Sequence, residues 1–405
     1  MTSRSVRLVA IAAFACLVGS AAPAIAAPAT TTHAHGRPSG SGLHRDALLV
    51  RFAEGTPSAT TAALIAAAGG TTVGRIDQLG TTVVAPASGR TRAAVQRALA
   101  SEKNVAAVEA DGVAHLTLTP DDTYWPQEWW ATKVRSDRAW NVTTGTNGPV
   151  VAVVDSGVQS SQPDLVGRVI PGYDFVNSDA VPNDDLGHGT KVSGVLAGLG
   201  MNALGVAGTC WDCKILAVKV ADSAGNVTFS NGAAGIVYAT DNGAKVINAS
   251  WGKTSANATL QAAVEYARSH GVVLIAAAGN EGNQAKFYPA AYAGVISVAA
   301  TTATDTLYSW STRGSWVKLA APGCTYTSFK NATWGSLCGT SAAAPIVAGI
   351  AGLILAYKPD ATQAQIEDAI LSTTVAISVN VGGGRVDAYN AVHKFEPKPG
   401  KGKRP

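Results

Sequence analysis

From Trp125 onward, short and almost wholly apolar runs alternate with helix-length stretches, and this alternation constrains the fold more than any other feature of the chain. The runs are Val150 to Val154, Lys214 to Val220, Lys245 to Asn248, Val272 to Ala277 and Val295 to Val298. A strand that is apolar at nearly every position, rather than at every second one, is covered on both faces. Between the runs, Thr190 to Leu199, Asn231 to Asn242, Thr259 to Ser269 and Ser341 to Tyr357 have the length and composition of helices. Strands alternating with helices predict an α/β domain over residues 122–393, with a doubly wound, mostly parallel sheet. Ligands of such sheets bind beyond the carboxyl ends of the strands.

Residues 46–118 read as a separate, small α+β unit. Strand Ala47 to Phe52, helix Ser58 to Ala68, strands near Thr71 to Ile76 and Thr81 to Ala85, helix Arg90 to Ser101 and strand Val105 to His115 give the order β-α-β-β-α-β. Ahead of it, Arg4 and Arg7 precede an apolar run from Leu8 to Gly19, and Ala24-Ile25-Ala26 follows as a small-residue cleavage site. Residues 1–26 therefore read as a signal peptide. A transmembrane anchor is the competing reading, but the run is shorter than the ~18 to 20 apolar residues that span a bilayer. Cys16 lies inside the run rather than at its end, which argues against a lipoprotein site. Residues 27–45, rich in Ala, Thr, Pro, Gly and Ser, form a linker in which His33 and His35 are an incidental pair. The other long apolar stretch, Ala342 to Ala356, contains Pro345 and reads as a buried helix.

With 405 residues, 47% of them hydrophobic and 14% charged, the chain can build more than one core. The net charge of +4 matches that of residues 394–405 alone, where five basic residues face Glu396, so the body is close to neutral. That balance speaks against nucleic acid as a partner. The tail reads as a solvated, disordered end, with binding to an anionic polymer or membrane as the alternative. Beyond the signal peptide lie Cys210, Cys213, Cys324 and Cys338, an even number that favours disulfides in an exported chain. Of the pairings, 210–213 and 324–338 each close a local loop, the second across a hairpin with its turn near Lys330-Asn331. Cys210-Trp-Asp-Cys213 could instead be half of a zinc site or a redox pair, but it lacks the second pair such sites need.

Three motifs carry chemistry. Val151-Ala152-Val153-Val154-Asp155-Ser156-Gly157-Val158 puts a carboxylate at the end of a buried strand, where its charge needs partners. Gly187-His188-Gly189-Thr190 sets an imidazole immediately before a helix, and Gly339-Thr340-Ser341-Ala342-Ala343-Ala344-Pro345 sets a hydroxyl at another helix start. Singly, these are equally a helix cap, a packed histidine and an N-cap. Together, in the order Asp, His, Ser with the serine opening a long helix, they match one known arrangement of a nucleophilic triad.

On these motifs residues 122–393 resemble a peptidase domain of the subtilisin (subtilase) family, and residues 46–118 resemble that family's propeptide, an inhibitor and folding aid. Ala276-Ala277-Ala278-Gly279-Asn280-Glu281-Gly282 is similar to the family segment that carries the oxyanion-hole asparagine. The resemblance implies a secreted, monomeric serine endopeptidase, without a transmembrane anchor, that cleaves polypeptides and processes itself near Leu118 to Asp121. It implies Asp155, His188 and Ser341 as the triad and Asn280 as an oxyanion donor. It further implies that substrate lies between Asn248 to Gly252 and Ala224-Gly225-Asn226-Val227. The S1 pocket would be walled by Ser250-Trp251-Gly252 and Ala277-Ala278-Gly279, with Phe287 either filling it or packed in the core.

The pattern departs from the family in places. Lys191 and Ala342 replace a histidine and a methionine common in relatives, neither with an obligatory proton-transfer role. No cofactor is expected for the chemistry. Asp164 matches a family calcium ligand, but the loop between His188 and Gly205 is shorter than in calcium-binding subtilisins, leaving Asp164 as the one ligand nominated. Two other classes compete. A non-catalytic binding protein of this fold would lack one of the four residues, and an α/β-hydrolase esterase would show G-x-S-x-G with its Asp and His after the serine.

Overall fold

The computed structural model describes residues 46–112 and 118–396, in two compact units. The signal-peptide and linker readings (1–45), the end of the expected strand at His115 and the tail beyond Glu396 fall outside the described residues.

The first unit has strands β1 (Leu48–Phe52), β2 (Gly70–Ile76), β3 (Thr81–Pro86) and β4 (Val105–Ala110), with helices α1 (Ser58–Ala67) and α2 (Arg92–Ala100). The sheet order is β2-β3-β1-β4, every pair antiparallel. Leu48, Val50 and Val84 from the sheet and Ile65, Val95 and Leu99 from the helices form its core. Helix α2 starts at Arg92 rather than Arg90 and is capped by Thr91, whose hydroxyl accepts from the Ala94 N–H (3.2 Å).

In the second unit two short helices, α3 (Trp129–Lys133) and α4 (Ser136–Ala139), precede the sheet. Seven parallel strands follow: β5 (Val150–Asp155), β6 (Val169–Asp174), β7 (Lys214–Lys219), β8 (Val246–Ala249), β9 (Val273–Ala277), β10 (Ile296–Thr301) and β11 (Leu319–Pro322). Their order is β11-β10-β9-β8-β5-β7-β6, so the chain crosses over β5 in passing from β7 to β8. Helices α5 (His188–Ala197) and α8 (Thr340–Tyr357) cover one face, and α6 (Phe229–Asp241) and α7 (Ala258–Ser269) the other. Successive strand residues serve opposite cores: Val151 and Val153 face α5 and α8, Ala152 and Val154 face α6 and α7. This is why the strands read as unbroken apolar runs.

Helix α8 is long and apolar enough to cross a membrane, yet Thr340 to Leu355 are all buried within the domain. The hairpin β12 (Cys324–Phe329) and β13 (Thr333–Cys338) packs on α5, and α9 (Gln363–Ser372) and α10 (Ala388–His393) close the unit. Disulfides join Cys210 to Cys213 and Cys324 to Cys338, the latter at facing positions of the hairpin. Ordered structure runs past residue 393: Lys394 binds Asp368 and Ser372, and Phe395 packs on the core.

Candidate active site

Asp155, the 221–227 loop, the 248–252 segment and the 277–280 segment lie at the carboxyl ends of four adjacent strands, β5, β7, β8 and β9, whereas His188 and Ser341 are brought to the site by the first turns of α5 and α8. Asp155 is the last residue of β5, buried at 3% side-chain exposure. Its Oδ1 accepts from the Ser156 N–H (2.7 Å) and lies 2.8 Å from His188 Nδ1. His188 is the first residue of α5, two positions earlier than the expected helix start. Its approach depends on Gly189, where a Cβ would stand 2.1 Å from the Gly157 carbonyl oxygen and 3.2 Å from the Asp155 Cβ.

A second carboxylate fixes the histidine's backbone. Buried Asp184 accepts from Gly187 N (2.6 Å), Thr190 N (2.9 Å), Thr190 Oγ1 (2.5 Å) and Ser156 Oγ (2.8 Å), and so anchors the first turn of α5. Asp155, and less strongly Asp184, raise the His188 pKa against the lowering effect of burial. Sequence reading missed Asp184. The Asp-Asp pair at 184–185 is its only trace, and nothing there separates a structural carboxylate from a solvated one.

Ser341 is the second residue of α8, and its Oγ donates to the Ser250 carbonyl oxygen (3.1 Å). Pro345 has no N–H, so the Ser341 carbonyl loses its intrahelical partner and faces the Ser250 hydroxyl instead (3.4 Å). The serine segment and the Asn248 to Gly252 segment are thus held side by side. The Ser341 N–H is one of the first donors of α8, which have no carbonyl one turn back.

Asn280 follows β9 and is exposed. Its Oδ1 accepts from Thr340 N (2.9 Å) and Thr340 Oγ1 (3.0 Å), which leaves the Nδ2 donor on the other side. Gly339 has φ 147°, and a Cβ there would sit 3.4 Å from Asn280 Nδ2 and 3.6 Å from Ser341 N. Two N–H donors therefore border one gap, kept open by a residue without a side chain. Thr340 also accepts from Gly279 N (3.1 Å), a positioning role that its place beside the serine did not disclose.

A cavity of about 310 Å³ lies against Asp155 and His188 and is lined by Gly225, Val227, Ser250, Trp251, Gly252 and Phe287, with Leu186 and Ala221 added by the structure. Ala224 and Asn226 lie at the exposed tip of the loop from Ala221 to Val227, where Asp222 binds both of their N–H groups. Ala277 and Ala278 turn their side chains into packed cores, so only the backbone of that segment and Gly279 can face a ligand. Lys191 points away, its Nζ 4.5 Å from the Phe329 ring centre, and Ala342 is buried.

Asp164 is fully buried, its Oδ2 taken by Val206 N (3.0 Å), Trp334 Nε1 (2.6 Å) and Ser328 Oγ (3.1 Å). Its Oδ1 meets only the Asn202 amide (3.3 Å). Asp122, unremarked in the sequence, has a buried Oδ1 without a hydrogen-bond partner, and burial first, then repulsion from Asp164 and Asp121, pushes its pKa up to about 6. No group of three or more His, Cys, Asp or Glu side chains that could hold a metal occurs among the described residues. The orphaned Asp122 Oδ1 and the repulsion between Asp122 and Asp164 are what a hard cation would relieve.

Comparison with known proteins gives a consistent picture. A model of the subtilase family matches residues 146–396, and one of the fervidolysin N-terminal prodomain matches residues 29–111. Thermitase of Thermoactinomyces vulgaris is 45% identical over 279 residues, 68% of this chain and 99% of thermitase. A thermophilic serine proteinase of Bacillus sp. (strain AK1) is 40% identical over 304 residues, 74% of this chain and 75% of that protein. Among solved structures, a protease of Pseudoalteromonas arctica superposes with a TM-score of 0.63 at 31% identity, covering 68% of this chain and 99% of the other.

Proposed function

The chain belongs to the subtilase family of serine endopeptidases, with an N-terminal prodomain, and from that premise we propose that it cleaves polypeptides through Asp155, His188 and Ser341 as a secreted, self-processing zymogen. The observation that carries the reading is the gap over Gly339, bordered by Asn280 Nδ2 and the Ser341 N–H, with Ser341 Oγ on the carbonyl of Ser250, a residue that lines the same cavity as a histidine held 2.8 Å from a buried aspartate.

A serine hydroxyl is a weak nucleophile near neutral pH. In the structure it rests on the Ser250 carbonyl, an acceptor that an extended substrate pairing with Asn248 to Gly252 would claim for its own N–H. Displaced from it, Ser341 Oγ gives its proton to His188 as it bonds to the substrate's carbonyl carbon. Asp155 holds the imidazole with Nδ1 protonated and stabilises the imidazolium. The carbonyl oxygen becomes an oxyanion facing Asn280 Nδ2 and the Ser341 N–H at a helix N-terminus. His188 then protonates the departing amine, leaving an acyl-enzyme that water hydrolyses by the same steps in reverse roles.

The prodomain acts as intramolecular inhibitor and folding aid, and is released by scission in the stretch Leu118 to Asp121. Leu118 N binds Asn141 Oδ1 (2.8 Å) and Asp121 Oδ1 accepts from Ala203 N (3.0 Å), so both ends of that stretch are tied to the peptidase unit. The paired disulfides agree with export. The chemistry requires no cofactor. Asp122 and Asp164 would hold a calcium ion, whose contribution is to neutralise buried charge and fix the segment 199–206.

The test compares wild type with Ser341→Ala. Self-processing and labelling by a fluorophosphonate should occur in the first and be absent from the second. Processing of both forms would assign maturation to another protease, and labelling of both would remove Ser341 from the nucleophile's place.

A further inference from the structure

Ser341 Oγ lies 3.1 Å from the Ser250 carbonyl and Thr340 Oγ1 lies 3.1 Å from Gly279 N, so a substrate carbonyl seated over Gly339 directs the side chain on its acyl side between the 250–252 and 277–279 segments. That place is taken. A Cβ on Gly252 would lie 2.5 Å from Phe287 Cε1 and 2.8 Å from its Cδ1, and a Cβ on Gly279 would lie 3.1 Å from its Cγ. The Phe287 ring is therefore in contact with both glycines and fills the slot between the segments they belong to. Trp251 does not compete for it, since its indole donates to the Val154 carbonyl (2.7 Å) and lies against Gly232.

We propose that Phe287 is a specificity-determining residue that stands in for a large P1 side chain and confines cleavage to peptides with Gly, Ala or Ser at P1. The inference rests on the reading of Ser341 as nucleophile and names the substrates that site accepts. Packing in the core is the competing account of Phe287, and the surroundings oppose it. Tyr288 and Ala290 pack in the core under α6 and α7, whereas Phe287 belongs to none of the apolar clusters among the described residues and instead lines the cavity beside His188. Its backbone is fixed. Tyr288 exchanges two hydrogen bonds with Lys253 (2.8 and 2.9 Å), and the Phe287 carbonyl accepts from Ala291 N (2.8 Å). A bulky P1 group would have to turn the ring out of contact with two walls, losing dispersion on both faces.

The experiment measures kcat/KM of the mature enzyme on peptide anilides identical except for Ala, Leu or Phe at P1, with active sites counted by a fluorophosphonate that carries no P1 side chain. Wild type should favour Ala over Phe by roughly tenfold or more, the scale on which pocket volume discriminates. Phe287→Ala should move that ratio toward Phe by at least about tenfold, and Phe287→Leu by a smaller step in the same direction. A wild type that turns over the Phe substrate as well as the Ala substrate overturns the proposal, whether or not either variant folds. So does a folded Phe287→Ala enzyme with the wild-type ratio. Either result with fluorophosphonate labelling intact leaves the nucleophile assignment standing, whereas wild type without labelling removes that assignment itself.

Discussion

The Asn280 side chain accepts both the backbone N–H and the hydroxyl of Thr340, at 2.9 and 3.0 Å, so its amide nitrogen faces the gap over Gly339. A backbone N–H can only donate, which fixes which end of the amide is which. Asn280→Ala should lower kcat by about 10²–10³, some 2.7–4 kcal/mol, with a much smaller effect on KM, because the donor meets charge that exists only in the transition state. Thr340→Val removes one of the two bonds and should give a partial loss of the same kind. An Asn280→Ala enzyme with unchanged kcat removes the residue from the mechanism.

Proton transfer sets the acid limb of activity. His188 must be neutral to accept the serine proton, and Asp155 raises its pKa, so it stays protonated to a higher pH than an ordinary imidazole. The kcat/KM profile of wild type should therefore rise through a midpoint above the usual histidine range. Asp155→Asn removes the raising charge, so the midpoint should move down while kcat falls by about 10⁴ through loss of the correct tautomer. A midpoint that stays in place in the variant would mean that Asp155 does not govern this titration.

Much of this site was legible because each triad residue sits where a strand ends or a helix begins, positions that apolar runs and glycines mark in the sequence. The strands of the sheet interior were legible for the same reason. Edge strands were not. Val169–Asp174 contains Pro171 and Gly172, which demote a strand, and Leu319–Pro322 is only four residues long. The residues that hold the catalytic groups in place, Asp184, Ser156 and Thr340, act through contacts between segments distant in sequence or through backbone N–H groups, and no local pattern records those. Asp122 was missed likewise, since its neighbours Met201 and Asp164 meet it only in the folded chain.

The Cys324–Cys338 disulfide closes the hairpin that packs on α5, where Thr327 Oγ1 donates to the Lys191 carbonyl (2.8 Å). With 14 residues of separation its constraint on the unfolded chain is worth about 3 kcal/mol. Replacing both cysteines with alanine, in a Ser341→Ala background that prevents autolysis, should lower unfolding free energy by about 2–4 kcal/mol in denaturant titrations. An unchanged unfolding midpoint would mean that the hairpin is held by its packing on α5 alone.

Asp122 and Asp164 are both buried, and each disfavours the other's charge. If a cation neutralises them, calcium must bind the folded chain better than the unfolded one and stabilise it by mass action, by about 2.7 kcal/mol at a hundredfold excess over Kd. Thermal unfolding of the Ser341→Ala protein should accordingly shift upward and saturably with calcium and fall back with a chelator. Asp122→Asn keeps the shape and the acceptor for Met201 N but removes one charge, so it should abolish most of the calcium shift while raising stability in chelator, where the unrelieved repulsion is lost. A wild type indifferent to calcium would mean that this pair does not hold the cation.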